Sequence, residues 1–267
     1  MTPFAERIAA LEAAGYANAT AMARLAHDVV LKALEVCGLR DNVTIKGGVV
    51  MSNMTGDVRR ATMDMDIDFM HYGLTDENID EWIRRLNCLE GVSISRSGEI
   101  VELRQQNYHG RRVYLSISDR AGVTVVTKLD IGVHIYEEMS QQEMAFQISL
   151  DESAAFLHVN TKEQIFAEKL KSLLRLGTRS NRPKDVFDMF YLIDHVDRDV
   201  LRRFLALLVF DDADMRERNF KDVCARLSRI FNTRIYMRRL TARRTNWLQV
   251  DPRQVTSAIL RFLQSLR

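Results

Sequence analysis

Lys46-Gly47-Gly48 is followed, after one short helical stretch, by Arg60-Ala61-Thr62-Met63-Asp64-Met65-Asp66-Ile67-Asp68-Phe69, and these two stretches hold the residue types best suited to chemistry. Side chains alternate between the faces of a strand, so Asp64, Asp66 and Asp68 are expected on one side and Met65, Ile67 and Phe69 in the core. Carboxylates at that spacing repel one another. In the local sequence only Arg60 and Arg59 could offset them, and a divalent metal would do so more directly. Glycines allow close approach of backbone to a ligand, and a helix opening near Val49 would turn its first amides toward an anion. A strand at Val43 to Ile45, a Gly-Gly turn, a short helix and then an acidic strand suit the holding of a triphosphate and its Mg²⁺. The simpler alternative is a half-buried strand with an acidic outer face. A calcium loop of the EF-hand kind fails, because its sixth position is Phe69 rather than Gly and its twelfth is Thr75 rather than Glu.

Nucleotidyl transfer with two metals calls for a third carboxylate from a neighbouring strand. The stretch Val123 to Val133 is rich in β-branched residues, and Asp130 is its only acid. Asp130 is therefore the expected third ligand, with a surface Asp near a strand end as the competing reading. Downstream, Asn160-Thr161-Lys162-Glu163 has the form of a helix cap with Glu three residues on. Ile165, Phe166, Leu170, Leu173 and Leu174 then give an apolar helical face. Lys169 and Lys171 flank that face, and spacing alone assigns neither a function. After a loop at 177–181, Pro183 suits a first helical turn and Lys184 to Leu192 continue as a second amphipathic helix, making a hairpin.

Ile45-Lys46-Gly47-Gly48, Arg60 to Asp66, Lys128-Leu129-Asp130-Ile131, Ala167-Glu168-Lys169-Leu170 and Arg182-Pro183-Lys184-Asp185-Val186-Phe187-Asp188 stand in an order and spacing that resembles the AbiEii-type nucleotidyltransferase toxins. The likeness spans about residues 43–192. It implies a bilobed α+β fold, a DNA polymerase β-like lobe with a mixed or antiparallel sheet followed by a helical lobe, with the nucleotide in the cleft between them. Carried over position by position, Gly47 and Gly48 look like the phosphate-binding turn and Asp64 and Asp66 like the metal-binding pair. Lys169 looks like the lysine that contacts the triphosphate, and Asp185 like the second-lobe acid of the site. Ser52 resembles the polar residue after the glycines, although the family commonly has a small hydroxyl residue directly after Gly-Gly, where this chain has Val49. Asp68 lies outside the usual pair as a spare acid on the same face. Arg60 and Thr62 are expected to orient the acidic strand and the phosphates. The resemblance further implies transfer of NMP from an NTP with two Mg²⁺, an acceptor at the 3′ end of tRNA, and a cognate antitoxin.

Charge is divided unevenly along the chain. From Lys171 to Arg267 there are 21 Lys and Arg against 11 Asp and Glu, a net of +10, so with +2 overall residues 1–170 carry −8. Basic pairs at Arg202-Arg203, Arg238-Arg239 and Arg243-Arg244, with Tyr236 and Trp247 nearby, suit a phosphate backbone. A solvated helical face or a dock for an acidic protein would read the same way. An antibiotic-type small-molecule nucleotidyltransferase should instead offer an acidic pocket to a cationic acceptor, and a regulator that binds nucleotide or RNA without turnover should lack an intact site.

At 267 residues the chain can bury a substantial core. Cys37, Cys88 and Cys224 lie far apart with no CxxC, which argues against zinc and for a reducing cytosol. No apolar run approaches membrane-spanning length and Met1 to Ala10 contains no signal-like core, so a soluble cytoplasmic protein is expected. Phosphate loops of the GKS type, the GxGxxG fingerprint and the nucleophile elbow are absent. Helices are expected at about 4–14, 18–37, 48–54 and 75–87, strands at 43–47 and 64–70, and three or four antiparallel strands over 91–133 with turns near Ser97-Gly98, His109-Gly110 and Ala121-Gly122. From 161 onward the pattern is helical. The lobes are placed at 1–155 and 156–267, where strand content stops.

Overall fold

The computed structural model describes residues 2–70, 72–103, 110–135, 137–150 and 153–266. Contacts divide the chain into two compact units, Met1–Asn160 and Thr161–Arg267. The division expected at 155/156 falls inside a strand of the first unit, Ala154–Val159.

The first unit is built on a seven-stranded mixed sheet, which confirms the α+β class. Its strands are β1 Val43–Lys46, β2 Asp64–Phe69, β3 Val92–Leu103, β4 Gly110–Asp119, β5 Thr124–Val133, β6 Gln142–Gln147 and β7 Ala154–Val159, in the order β3-β4-β5-β2-β1-β7-β6. The β1/β7 and β2/β5 pairs are parallel and the others antiparallel. Helices α1 Phe4–Ala13 and α2 Asn18–Val36 precede the sheet, and α2 packs on β5 and β7. Helix α3 Gly47–Thr55 leaves β1 directly, and α4 Asp76–Arg85 follows β2.

β2 lies at the centre because its odd positions are apolar. Met65, Ile67 and Phe69 are fully buried, which at about 1.5–3 kcal/mol per side chain is ample to set the strand's facing. A one-residue slip would put three carboxylates in the core instead. Helix α4 is specified just as locally. Thr75 accepts a hydrogen bond from the Asn78 amide, Asp76 and Glu77 sit in the first turn, Arg84 and Arg85 in the last, and Ile79, Trp82 and Ile83 are buried.

Several expectations are corrected. Ser97-Gly98 is no turn; β3 runs through it with an irregularity between Ser97 and Val101. The turn at Gly122, with φ +82°, stands as expected, while His109 lies outside the described residues. β6 and β7 extend the sheet past 133, where the sequence showed no clear alternation. Cys37 and Cys88 are joined in a disulfide with Cα atoms 6.0 Å apart, against the expectation of reduced thiols. They stand 51 positions apart in the sequence, so no local spacing could announce the pair.

The second unit is helical: α5 Lys162–Leu176, α6 Lys184–Leu192, α7 Arg198–Leu205, α8 Phe220–Phe231, α9 Arg234–Leu240 and α10 Pro252–Ser265. The cap of α5 is Thr161, which accepts from the Gln164 amide, one residue later than expected. Asn160 is instead buried, its side-chain oxygen accepting from the Thr44 hydroxyl. Glu163 turns to the Asp197 amide at the entry to α7. α5 and α6 pack together as the expected hairpin.

Candidate active site

β1 ends at Lys46 and α3 begins at once, so the chain must reverse at Gly47, whose φ is +66°. A side chain is disfavoured there on two grounds. The left-handed backbone disfavours one, and a Cβ would stand 2.5 Å from Asp66 Oδ2. At Gly48 a Cβ would stand 2.7 Å from the Thr62 hydroxyl oxygen. The two glycines therefore lay bare backbone and the first turn of α3 against Asp66 and Thr62. No side chain caps α3, whose amino end carries the positive pole of the helix.

The acids of β2 share one face, as alternation requires, and cross-strand register sets what surrounds them. Lys46 of β1 stands opposite Asp66, Asp66 lies beside Asp130 of β5, and Asp130 is opposite Arg112 of β4. One row across four strands thus reads cation, acid, acid, cation. In the adjoining row Asp64 lies beside Lys128. The ion pairs follow: Lys128 Nζ to Asp64 Oδ2 at 2.7 Å, Lys46 Nζ to Asp68 Oδ1 at 2.5 Å, and Arg112 to both oxygens of Asp130 at 2.7 and 2.8 Å. Asp68 and Asp130 are buried, whereas the Asp64 side chain is 47 % exposed. Gly132 leaves the room that Asp68 occupies.

Lys46, Lys128 and Arg112 thus offset acids of this face, which sequence proximity could not find. Arg59, the neighbour that seemed available, is tied to Asp57 at 2.5 Å. Ser52 is buried in α3 and lines, with His27, Asp28 and Thr62, a cavity of about 10 Å³. His27 Nε2 has no hydrogen-bond partner there. Burial, and next the charge of Arg24, push the His27 pKa down to about 3.

Among the described residues no group of three or more His, Cys, Asp or Glu stands ready to hold a metal ion. Asp64 and Asp66 nevertheless offer hard oxygen donors on one face, next to a glycine that sets no Cβ against Asp66 Oδ2. That donor set fits a hard divalent cation.

In the second unit, Lys169 of α5 is buried and its ammonium lies 2.7 Å from Asp185 Oδ1 and 2.9 Å from Asp188 Oδ2, both on α6. Asp188 is fully buried and its other oxygen accepts from the Trp247 indole at 3.1 Å. Lys169 and Asp185 are hence brought together as a pair. Asp188 was missed; its place one turn after Asp185 on the same helix was the available signal. Tyr236 and Trp247, expected near a phosphate-binding surface, are core residues, and burial raises the Tyr236 pKa.

A model of the family described as nucleotidyl transferase AbiEii toxin, type IV TA system, matches residues 29–260. Comparison with curated proteins returned no match. Among solved structures, the fold is similar to that of JHP933 from Helicobacter pylori, with 13% identity, 91% of each chain covered and a TM-score of 0.50. An antigenic nucleotidyltransferase-like protein from Paracoccidioides brasiliensis aligns at 16% identity and a TM-score of 0.49, over 81% of this chain and 91% of that one.

Proposed function

From the premise that the chain belongs to the AbiEii family of nucleotidyl transferase toxins, we propose that it transfers a nucleoside monophosphate from an NTP to a hydroxyl at the 3′ end of tRNA, and that this modification arrests growth. The observation that carries the reading is the glycine turn set directly against Asp66. Backbone amides at Gly47 and Gly48 receive the phosphates, with Thr62 and the buried Arg60 orienting the turn and the strand. Asp64 and Asp66 would hold Mg²⁺. When bound, the cation supplies charge neutralisation of the phosphates and acidification of the acceptor hydroxyl. The acceptor oxygen attacks the α-phosphorus, a new P–O bond forms, and the bond to pyrophosphate breaks. Asp130 is the proposed third carboxylate, and serving a second metal requires it to release Arg112. Lys169, with Asp185 beside it, is the proposed contact that neutralises the departing pyrophosphate.

A cognate antitoxin is the proposed partner, in keeping with the type IV system of the family. No helix among the described residues is long and apolar enough to cross a membrane, and action on tRNA places the protein in the cytoplasm, where reductants would act on the Cys37–Cys88 pair.

The test is incubation of the protein and of Asp66→Ala with each α-labelled NTP, Mg²⁺ and total tRNA. Label is expected on tRNA with the wild type and lost with the variant. A well-folded Asp66→Ala protein with full transfer would overturn the site, and label on protein alone would overturn the acceptor.

A further inference from the structure

The second unit carries a groove that the nucleotidyl-transfer chemistry leaves unused. Helix α9, the segment 241–251 and the start of α10 enclose about 1280 Å³, more than the roughly 300–1,000 Å³ of small-molecule sites. Arg234, Arg238, Arg243 and Arg253 line it, all exposed, and among the described residues none of the four makes an ion pair. Arg234 and Arg238 are four apart on α9 and so share a face. Asp251 is the single acid of the lining, and it is engaged in capping α10 through the Arg253 amide at 2.7 Å. The sequence is as one-sided as the surface: residues 223–267 contain ten arginines, no lysine and one acidic side chain.

The structure also sorts the basic pairs that the sequence left equivalent. Arg239 donates to the carbonyls of Thr178 and Ser180, both at 3.0 Å, and Arg202 to that of Leu266 at 2.8 Å. Those two guanidinium groups hold the fold. The four in the groove do not.

Gln249 is held in a fixed conformation at the groove. It has φ +57°, the only positive φ of a non-glycine among the described residues, and it lines the groove in an exposed position. Such a conformation costs on the order of 1–3 kcal/mol and persists where the surroundings enforce it. Here Asn246 enforces it, donating to the Val250 carbonyl at 2.8 Å and accepting from the Val250 amide at 3.3 Å.

We infer that this groove docks the phosphate backbone of an RNA strand, with Arg234, Arg238, Arg243 and Arg253 on phosphates and the Gln249 amide on a base or ribose edge. The inference rests on the RNA reading of the acceptor. Guanidinium forks match phosphate oxygens in pairs. An acidic protein would need an apolar anchor region, and Ile235, 65 % exposed, is the one large exposed apolar side chain in the lining.

The experiment is the affinity of the full chain for end-labelled tRNA across about 50–200 mM salt. Four phosphate contacts predict a log–log slope near −3 to −4. Arg238→Gln with Arg243→Gln is expected to make the slope shallower by about 2 and weaken binding by tenfold or more, while Arg84→Gln with Arg120→Gln, an equal charge loss on the first unit, leaves both unchanged. Groove and control variants binding alike would overturn the inference, as would polyglutamate competing as well as tRNA. The two readings fail separately. Transfer to tRNA with groove variants that bind normally removes the groove and keeps the function. Groove-dependent tRNA binding by a wild type that transfers label from no NTP to tRNA keeps the groove and removes the function.

Discussion

Gly47→Ala separates backbone cost from loss of the site. At φ +66° an alanine is disfavoured by roughly 1–2 kcal/mol. Its Cβ would lie 2.5 Å from Asp66 Oδ2, about 1 Å inside ordinary van der Waals contact, so the carboxylate must yield by about that distance. Misplacement by about 1 Å can cost on the order of 10²-fold in rate. Gly56→Ala is the matched control. Gly56 has φ +61° and nothing within 4 Å of its built Cβ, so it should show the same conformational penalty with Asp66 undisturbed. Both variants are expected to lose roughly 2–8 °C in Tm, read by thermal melting. NTP-dependent pyrophosphate release at saturating NTP should fall about 100-fold in Gly47→Ala and stay near wild type in Gly56→Ala. If Gly47→Ala turns over within about threefold of Gly56→Ala, the placement of the active carboxylate against the glycine turn is wrong.

Buried neutral His27 makes stability depend on acid. Below pH 6.5 the unfolded chain takes up a proton that the folded imidazole, with its pKa near 3, refuses, so between about pH 3 and 6.5 stability rises with pH by up to about 1.4 kcal/mol per unit. Asp28 beside it, its carboxyl raised by burial, works in the opposite sense. The readout is accordingly the difference in pH slope between wild type and His27→Gln under urea melting, and equal slopes would refute the assignment. The Cys37–Cys88 bond closes a loop of 51 residues, for which chain entropy gives about 4 kcal/mol. Dithiothreitol or Cys37→Ser should lower Tm by roughly 8–16 °C, and an unchanged Tm in both would show that the bond contributes no stability.

What could be read in advance was local. Alternation of Asp with Met, Ile and Phe put Asp64, Asp66 and Asp68 on one face because the strand period is two. The glycine pair marked the turn because only a residue without Cβ suits that backbone. The apolar faces of α5 and α6 marked the helical hairpin. Boundaries were less legible. Thr161 rather than Asn160 caps α5, since Asn160 has a buried partner in Thr44, and an equally good capping residue stood next to it. β6 escaped notice because Gln142 to Gln147, half polar and half apolar, does not alternate, its strand state coming from pairing with β7.

The sequence by itself determined which residues could bind phosphate and cation, because face and turn are properties of a few consecutive residues. Only the tertiary structure decided how the acids are held. Lys46, Lys128 and Arg112 meet Asp68, Asp64 and Asp130 through the register of β1, β2, β4 and β5, and register is set by core packing over distances that no local pattern spans. The same holds for the arginines of the second unit. Arg238 and Arg239 are neighbours in sequence, yet one lines an open groove and the other bonds the carbonyls of Thr178 and Ser180, because successive residues of a helix face different surroundings.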